Sequence, residues 1–263
     1  MGRLGLRFVA LGYLVVILVG PLFMMVWRTA EDLDGAWAAI TAPDTVSAFK
    51  LTLLVTVIAV AVNTVFGIVC ALVIVRGNIP GRGFLNAFID LPLALSPVIV
   101  GFSLVVLYGA SGWLSWFPKH GHDIVYATPS IVLATIFVTL PFVAREVVPT
   151  LREIGTEQEQ AAQTLGASGW QTFWRITLPS IRWAVVYGVV LTAARAIGEF
   201  GAVAIVSGNI VGKTQTATLR VEDAYQFSYG NYAPAYGISF VLAAMAILVL
   251  VTMIVVQPKG AKH

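Results

Sequence analysis

The sequence predicts an all-α membrane protein built from six transmembrane helices. Three observations lead there: 58% of the 263 residues are hydrophobic and only 11% are charged, six apolar runs recur along the chain, and basic residues crowd onto alternate connections. A water-soluble domain carries about 25% charged residues, so this composition excludes one. The formal charge of +3, from 16 basic and 13 acidic residues, gives no sign of a nucleic-acid partner. The single cysteine, Cys70, lies inside an apolar run, which excludes an internal disulfide and a cysteine-based zinc cage.

The first run, 8–27, has about the ~20-residue length needed to cross a bilayer core and follows Arg3 and Arg7. It ends in Met24, Met25, Val26 and Trp27, without small residues at cleavage spacing, so it reads as a retained anchor rather than a signal peptide. An acidic stretch, 28–50, leads to a second span at 51–75. Arg76 and Arg82 then bracket a Gly- and Pro-containing turn. The third span, 84–108, contains Asp90, Pro92, Ser96 and Pro97. Each proline frees a carbonyl and bends a helix, which is tolerable in a membrane only where protein or water covers the break, so this span is expected to line a path. Asp90, near the start of the span, reads as a structural group that snorkels to the interface rather than as a proton carrier.

The loop 109–128 holds Trp113, Trp116 and Phe117, an interfacial aromatic belt. His120, His122 and Asp123 also lie there; two histidines on a polar loop are more often solvated than metal-bound, and no metal site is expected. The remaining spans are 129–148, 183–207 and 234–256, with a polar loop at 149–182, and residues 1–263 form one transmembrane domain. With the N-terminus inside, ten basic residues fall on the inner connections (Arg3, Arg7, Arg76, Arg82, Arg145, Arg152, Arg175, Arg182, Lys259, Lys262). Five fall outside: Arg28, Lys50, Lys119, Lys213 and Arg220. Positive residues favour the cytoplasmic side, so both termini and the 149–182 loop are expected there.

The fifth span carries Arg195 and Glu199, four residues apart and therefore on one helix face. Two readings stand side by side: an ion or substrate site facing an aqueous path, and an internal pair that fixes helix packing. Ala194, Gly198 and Ala202 form a small-residue stripe for close helix approach. Ser96, Ser103, Thr135, Thr139 and Ser207 offer hydroxyls to an oxyanion, although such groups mostly bond their own helix carbonyls. The run GNIVGKT at 208–214 imitates a phosphate loop. It is one residue short, has Ser207 where glycine is required and follows no strand, so it is not expected to bind ATP. No nucleophile–base arrangement or dinucleotide fingerprint appears, and the chain is not expected to be an enzyme or to hold a cofactor of its own. The outer loop 208–233 has the composition for a short helix, either a lid on the bundle or a contact for an external partner.

The polar loop is the most informative stretch. Thr156 and Glu159 have capping-box spacing, so a helix should run over 157–165 with Gly166 as its left-handed stop. Ser168 and Gln171 repeat the signal. Trp170, Phe173 and Trp174 then make one aromatic stripe until Pro179, which should end the second helix and turn the chain toward the next span. A pair of helices lying on the membrane surface would explain the aromatics alone.

Ala161, Ala162, Gly166, Ile176, Leu178 and Pro179 have the spacing A-A-x-x-x-G-x9-I-x-L-P, which resembles the coupling loop of the membrane subunits of bacterial ABC importers. The glutamate that usually precedes the two alanines is Gln160 here, with Glu157 and Glu159 nearby. The runs DLPLALSPVIVG, ATIFVTLPFVARE, TLGASGWQTFWRITLP and ARAIGEFGAVAIVSG extend the likeness over nearly the whole chain, most closely to the W-type subunits of sulfate/thiosulfate importers. The last run is also similar to molybdate/tungstate importer subunits. The resemblance implies a type I ABC importer permease fold and a multi-pass subunit in the bacterial inner membrane, docking an ATPase through Glu157, Glu159, Gln160, Ala161, Ala162, Leu165 and Gly166. It implies as partners two copies of that ATPase, which carry ATP and Mg, a T-type membrane subunit and a periplasmic sulfate-binding protein. Ser96, Pro97, Arg195 and Glu199 are the candidates for the translocation path or gate. An ATP-independent secondary anion transporter using Arg195 and Glu199, and a scaffold that only recruits the ATPase, are the readings from other classes.

Overall fold

A computed structural model describes residues 3–77, 80–116 and 124–256, and no strand occurs among them. The metal-capable trio His120, His122 and Asp123, with Phe117 and Lys119, lies outside the described residues. Among the described residues, five helices are long and apolar enough to cross a membrane: α1 (Arg7–Glu31), α3 (Pro43–Val75), α6 (Thr128–Ile154), α8 (Gly169–Ile197) and α11 (Ala233–Thr252). Between α1 and α3 lies the short helix α2 (Leu33–Thr41), capped by Asp32, whose carboxylate accepts from the Gly35 amide. A sixth crossing is complete only if the pair α4 (Arg82–Ala94) and α5 (Pro97–Tyr108) counts as one span, bent by 107°.

The bend sits where proline chemistry places it. Pro92 is accommodated within α4, whereas Ser96, immediately before Pro97, is held extended at φ −62° and ψ 136°, the region that a following proline enforces. Two other spans differ from their expected limits. The second begins at Pro43 rather than 51, and its 33 residues reach roughly 50 Å at 1.5 Å per residue, well beyond the bilayer core. The fifth is displaced by half its length. A helix runs unbroken over Gly169–Ile197, the chain leaves helical form at 198–200, and a short helix, α9 (Gly201–Val206), follows. Pro179 therefore does not end the second loop helix. It lies in the first turn after a π-helical segment, Phe173–Thr177, whose wider turn accommodates the missing donor without stopping the helix.

α6 is the central strut, with α3 and α8 packed on it. An added Cβ at Gly67 of α3 would lie 2.7 Å from Val143 Cβ, and one at Gly188 of α8 would lie 2.6 Å from Val143 Cα, so glycine sets the spacing on both sides. Cys70, Ile74, Val147, Leu151 and Ile181 complete a buried cluster at this end. A second cluster of Val55, Val100, Ile131, Val203, Val206 and Leu219 fills the other end. Across the α3–α6 contact, Asn63 Nδ2 donates to Ile136 O at 3.0 Å and Thr139 Oγ1 at 2.8 Å. α1 leaves its large apolar side chains exposed, which suits a lipid-facing helix.

Asp90, expected to snorkel to the interface, is ion-paired with Arg145, which ties α4 to α6. Ser103, Thr135 and Thr139 bond their own helix carbonyls. The outer segment forms α10 (Ala217–Gln226), which lies against α11 and α3; the Ala217 amide donates to Thr52 Oγ1 at 2.9 Å. In the phosphate-loop imitation, the amides of Lys213, Thr214 and Gln215 all point at Ile210 O, so they are spent inside the loop.

Candidate functional site

Two of the places that combine polar groups with unusual backbone hold the expected site residues. The first is the knob formed by α7 (Glu157–Thr164) and the start of α8. α7 is flanked by glycines at positive φ, Gly155 at φ +70° and Gly166 at φ +87°. The Thr156–Glu159 capping box does not form: Thr156 caps nothing through its hydroxyl, which instead accepts from Gln160 Nε2 at 3.1 Å. The Ser168–Gln171 box does form, with both reciprocal bonds present. Trp170, Phe173 and Trp174 pack on one another with ring centroids 5.4–6.2 Å apart.

Of the seven residues expected to dock an ATPase, Glu157, Gln160, Ala161, Leu165 and Gly166 lie on the exposed side of the knob, with Leu165 89% exposed. Leu165, the residue that follows α7, projects into solvent. Glu159 and Ala162, three apart, turn toward the body. The Glu159 carboxylate is engaged there: Oε2 lies 2.9 Å from Arg76 Nε and Oε1 accepts from Thr177 Oγ1 at 2.8 Å. Arg76 Nη2 also donates to Gly155 O.

The second place is where two broken spans touch. An added Cβ at Gly201 would stand 3.1 Å from Pro97 Cβ, and one at Gly101 would stand 2.8 Å from Ala202 O. The α4–α5 bend at Leu95–Ser96 and the α8–α9 break at 198–200 are therefore neighbours, with Pro97 against Gly201, two residues beyond Glu199. Ser96 is exposed and its side chain caps nothing. Glu199 has only 1% of its side chain exposed; Oε1 accepts from the Ala202 amide at 2.9 Å and Oε2 lies 2.6 Å from Arg195 Nη1, an ion-pair contact without hydrogen-bond alignment. Arg195 is 35% exposed. Thr218 Oγ1 donates to Glu199 O at 2.8 Å, so α10 is tied directly to the break. The pair is neutral as a whole, yet its cationic half is the accessible one, an arrangement suited to a transient anion. Irregular backbone at membrane depth survives only where protein or a water-lined cavity covers it, and paired helix breaks are where transporters commonly hold their cargo.

Sequence reasoning missed Arg76, Arg145 and Thr177. Arg76 and Arg145 entered only as orientation charges. Arg76 had one further signal, its place at the end of a span, and Thr177 gave none.

A family model described as "Binding-protein-dependent transport system inner membrane component" matches residues 63–258, which include both places. The chain belongs to this family. This inner-membrane transport component is 46% identical to the sulfate transport system permease protein CysW of Synechocystis sp. over 97% of this chain and 92% of the relative. It is 44% identical to CysW of Escherichia coli (strain K12), over 92% and 84% of the two chains, and 36% identical to the CysT permease of the same organism, over 95% and 91%. The fold of this transport component is that of solved ABC importer membrane subunits. A chain of the bacterial transporter involved in the import of alginate superposes with a TM-score of 0.78 at 17% identity, over 98% and 95% of the two chains. A chain of the MetNI methionine transporter in an inward-facing form gives 0.58 at 14% identity, over 88% and 95%. The bent α4–α5 pair and the continuous α8 thus belong to a multi-pass transport fold.

Proposed function

We propose that this chain is the permease subunit of an ATP-driven sulfate/thiosulfate importer, forming half of the translocation path and docking the ATPase. The observation that carries the reading is the exposed face of α7, with Leu165 open to solvent on a short helix ended by glycines, in a chain whose relatives are sulfate permeases. Such a helix fits a cleft on a separate motor. ATP and Mg belong to two copies of that ATPase, and this chain supplies no catalytic group. A T-type membrane subunit completes the path, and a periplasmic sulfate-binding protein delivers the anion. The subunit lies in the bacterial inner membrane with both termini and α7 on the cytoplasmic side, the side richer in lysine and arginine.

ATP-driven closure of the ATPase pair moves α7, and α7 moves the spans joined to it, so that access to the path alternates. The two breaks are the places where spans can reorient without losing a whole helix of hydrogen bonds. At their contact, Arg195 offers the anion a charge and Ser96 a hydroxyl, while Glu199 keeps Arg195 compensated between cycles. A glutamate placed at Ala161 puts an uncompensated charge on the docking face and is expected to abolish sulfate uptake while the chain still inserts in the membrane. Uptake by Ala161→Glu cells at the parental rate would remove docking from the account.

A further inference from the structure

The knob is joined to the body by its chain ends and by side chains, and the two joints differ in kind. Both chain ends are glycines at positive φ, conformations in which a backbone swivels at little cost. Glycine meets the smallest steric resistance to a change of backbone angle, so these ends resist rotation of α7 less than any other residue would. The side-chain joint is different. Glu159 reaches Arg76 at the last turn of α3 and Thr177 in the π-helical segment of α8 through separate carboxylate oxygens, and Arg76 also holds Gly155 O. Arg76 and Glu159 have only 18% and 17% of their side chains exposed, and Thr177 is 5% exposed, so this knot is poorly screened by solvent and salt.

We propose that Glu159 is a positioning residue, the pin by which α7 drags the ends of α3 and α8 together, rather than a contact with the motor. This rests on the reading of α7 as the ATPase-docking helix. Without the pin, the ATPase still grips the exposed face and still hydrolyses ATP, but α7 rocks on its glycines and the stroke does not reach the spans. The π-helical segment adds to this logic, because irregular turns within a helix often mark hinges, and Thr177 attaches Glu159 to it directly.

The test uses the whole importer, with ATPase, both membrane subunits and binding protein, in proteoliposomes. Glu159→Ala, Arg76→Ala and the double variant are each expected to retain the bound ATPase and its hydrolysis, while sulfate imported per ATP falls roughly tenfold in each single variant, the double variant falling short of the product of the two because both lose the one shared ion pair. Glu159→Gln, which keeps the side-chain shape, supplies the same comparison if an alanine variant fails to assemble. Loss of ATPase from the Glu159 variants, multiplying effects in the double variant, or an unchanged transport ratio would each overturn the pin. A wild-type complex that imports no sulfate overturns the functional reading alone. The pin is then still read without cargo, from spin labels at Gln158→Cys and Val69→Cys in a Cys70→Ala background. Their distance is expected to hold between nucleotide-free and ATP-bound states in the parent and to change in Glu159→Ala. A distance that holds in both overturns it.

Discussion

Glu199 is a carboxylate with 1% of its side chain exposed in an apolar bundle, and it is tolerable because Arg195 and the Ala202 amide both face it. Removing one partner of a fully buried pair costs about 3–5 kcal/mol. Arg195 is one third exposed, so screening should reduce the cost of Arg195→Gln to about 2 kcal/mol. Thermal unfolding in detergent is expected to show a lowered midpoint for Arg195→Gln and most of it regained in Arg195→Gln with Glu199→Gln. A double variant as unstable as the single would mean that the ion pair does not hold the break together. The contact between these two residues was legible, because a spacing of four places side chains together on a helix. The break was not. Gly198 read as a packing residue, and only the local bond from the Ala202 amide to the carboxylate together with the tertiary bond from Thr218 to Glu199 O shows why the backbone leaves helical form there. Asp90 was expected to snorkel to the interface; it is ion-paired with Arg145 instead, a partner 55 residues away that had no local signal.

At the scale of elements, short-range chemistry was readable where the competing partners were also short-range. Gly166 stops α7 in the left-handed region, and Ser168 with Gln171 closes a capping box. The Thr156–Glu159 box has the same pattern and fails because Glu159 is claimed by Arg76, 83 residues away. Pro179 misled in the same way: a proline breaks a helix unless a wider turn takes up its missing bond, and the Phe173–Thr177 segment leaves no mark in composition. The packing of α8 on α6 gives a prediction of its own. A valine at Gly188 would push its Cβ to 2.6 Å from Val143 Cα, and forcing extra carbons into a packed contact costs about 1–3 kcal/mol. Gly188→Val should therefore lower the unfolding midpoint in detergent, whereas Val65→Ala, on the exposed face of α3, should leave it nearly unchanged. Equal midpoints for the two variants would argue against glycine-set spacing.

For the whole molecule, each of the six apolar runs overlaps one of the five long apolar helices or the bent α4–α5 pair, because lipid forces the backbone of each span to satisfy itself. What hydropathy does not encode is which spans meet. The contact of the α4–α5 bend with the α8–α9 break turns two separate proline- and glycine-bearing stretches into one candidate path, and no spacing along the chain announces it. The same holds for the pin that joins α7 to α3 and α8. The central claim is that this subunit converts ATPase motion, received at α7, into passage of a sulfate-type anion. Its most direct test is uptake of labelled sulfate into proteoliposomes holding this chain, its ATPase, the second membrane subunit and the binding protein, with molybdate in excess as competitor. The account predicts uptake that requires ATP and every partner and withstands molybdate. Strong competition would move the cargo to molybdate, and uptake without the ATPase would contradict the account.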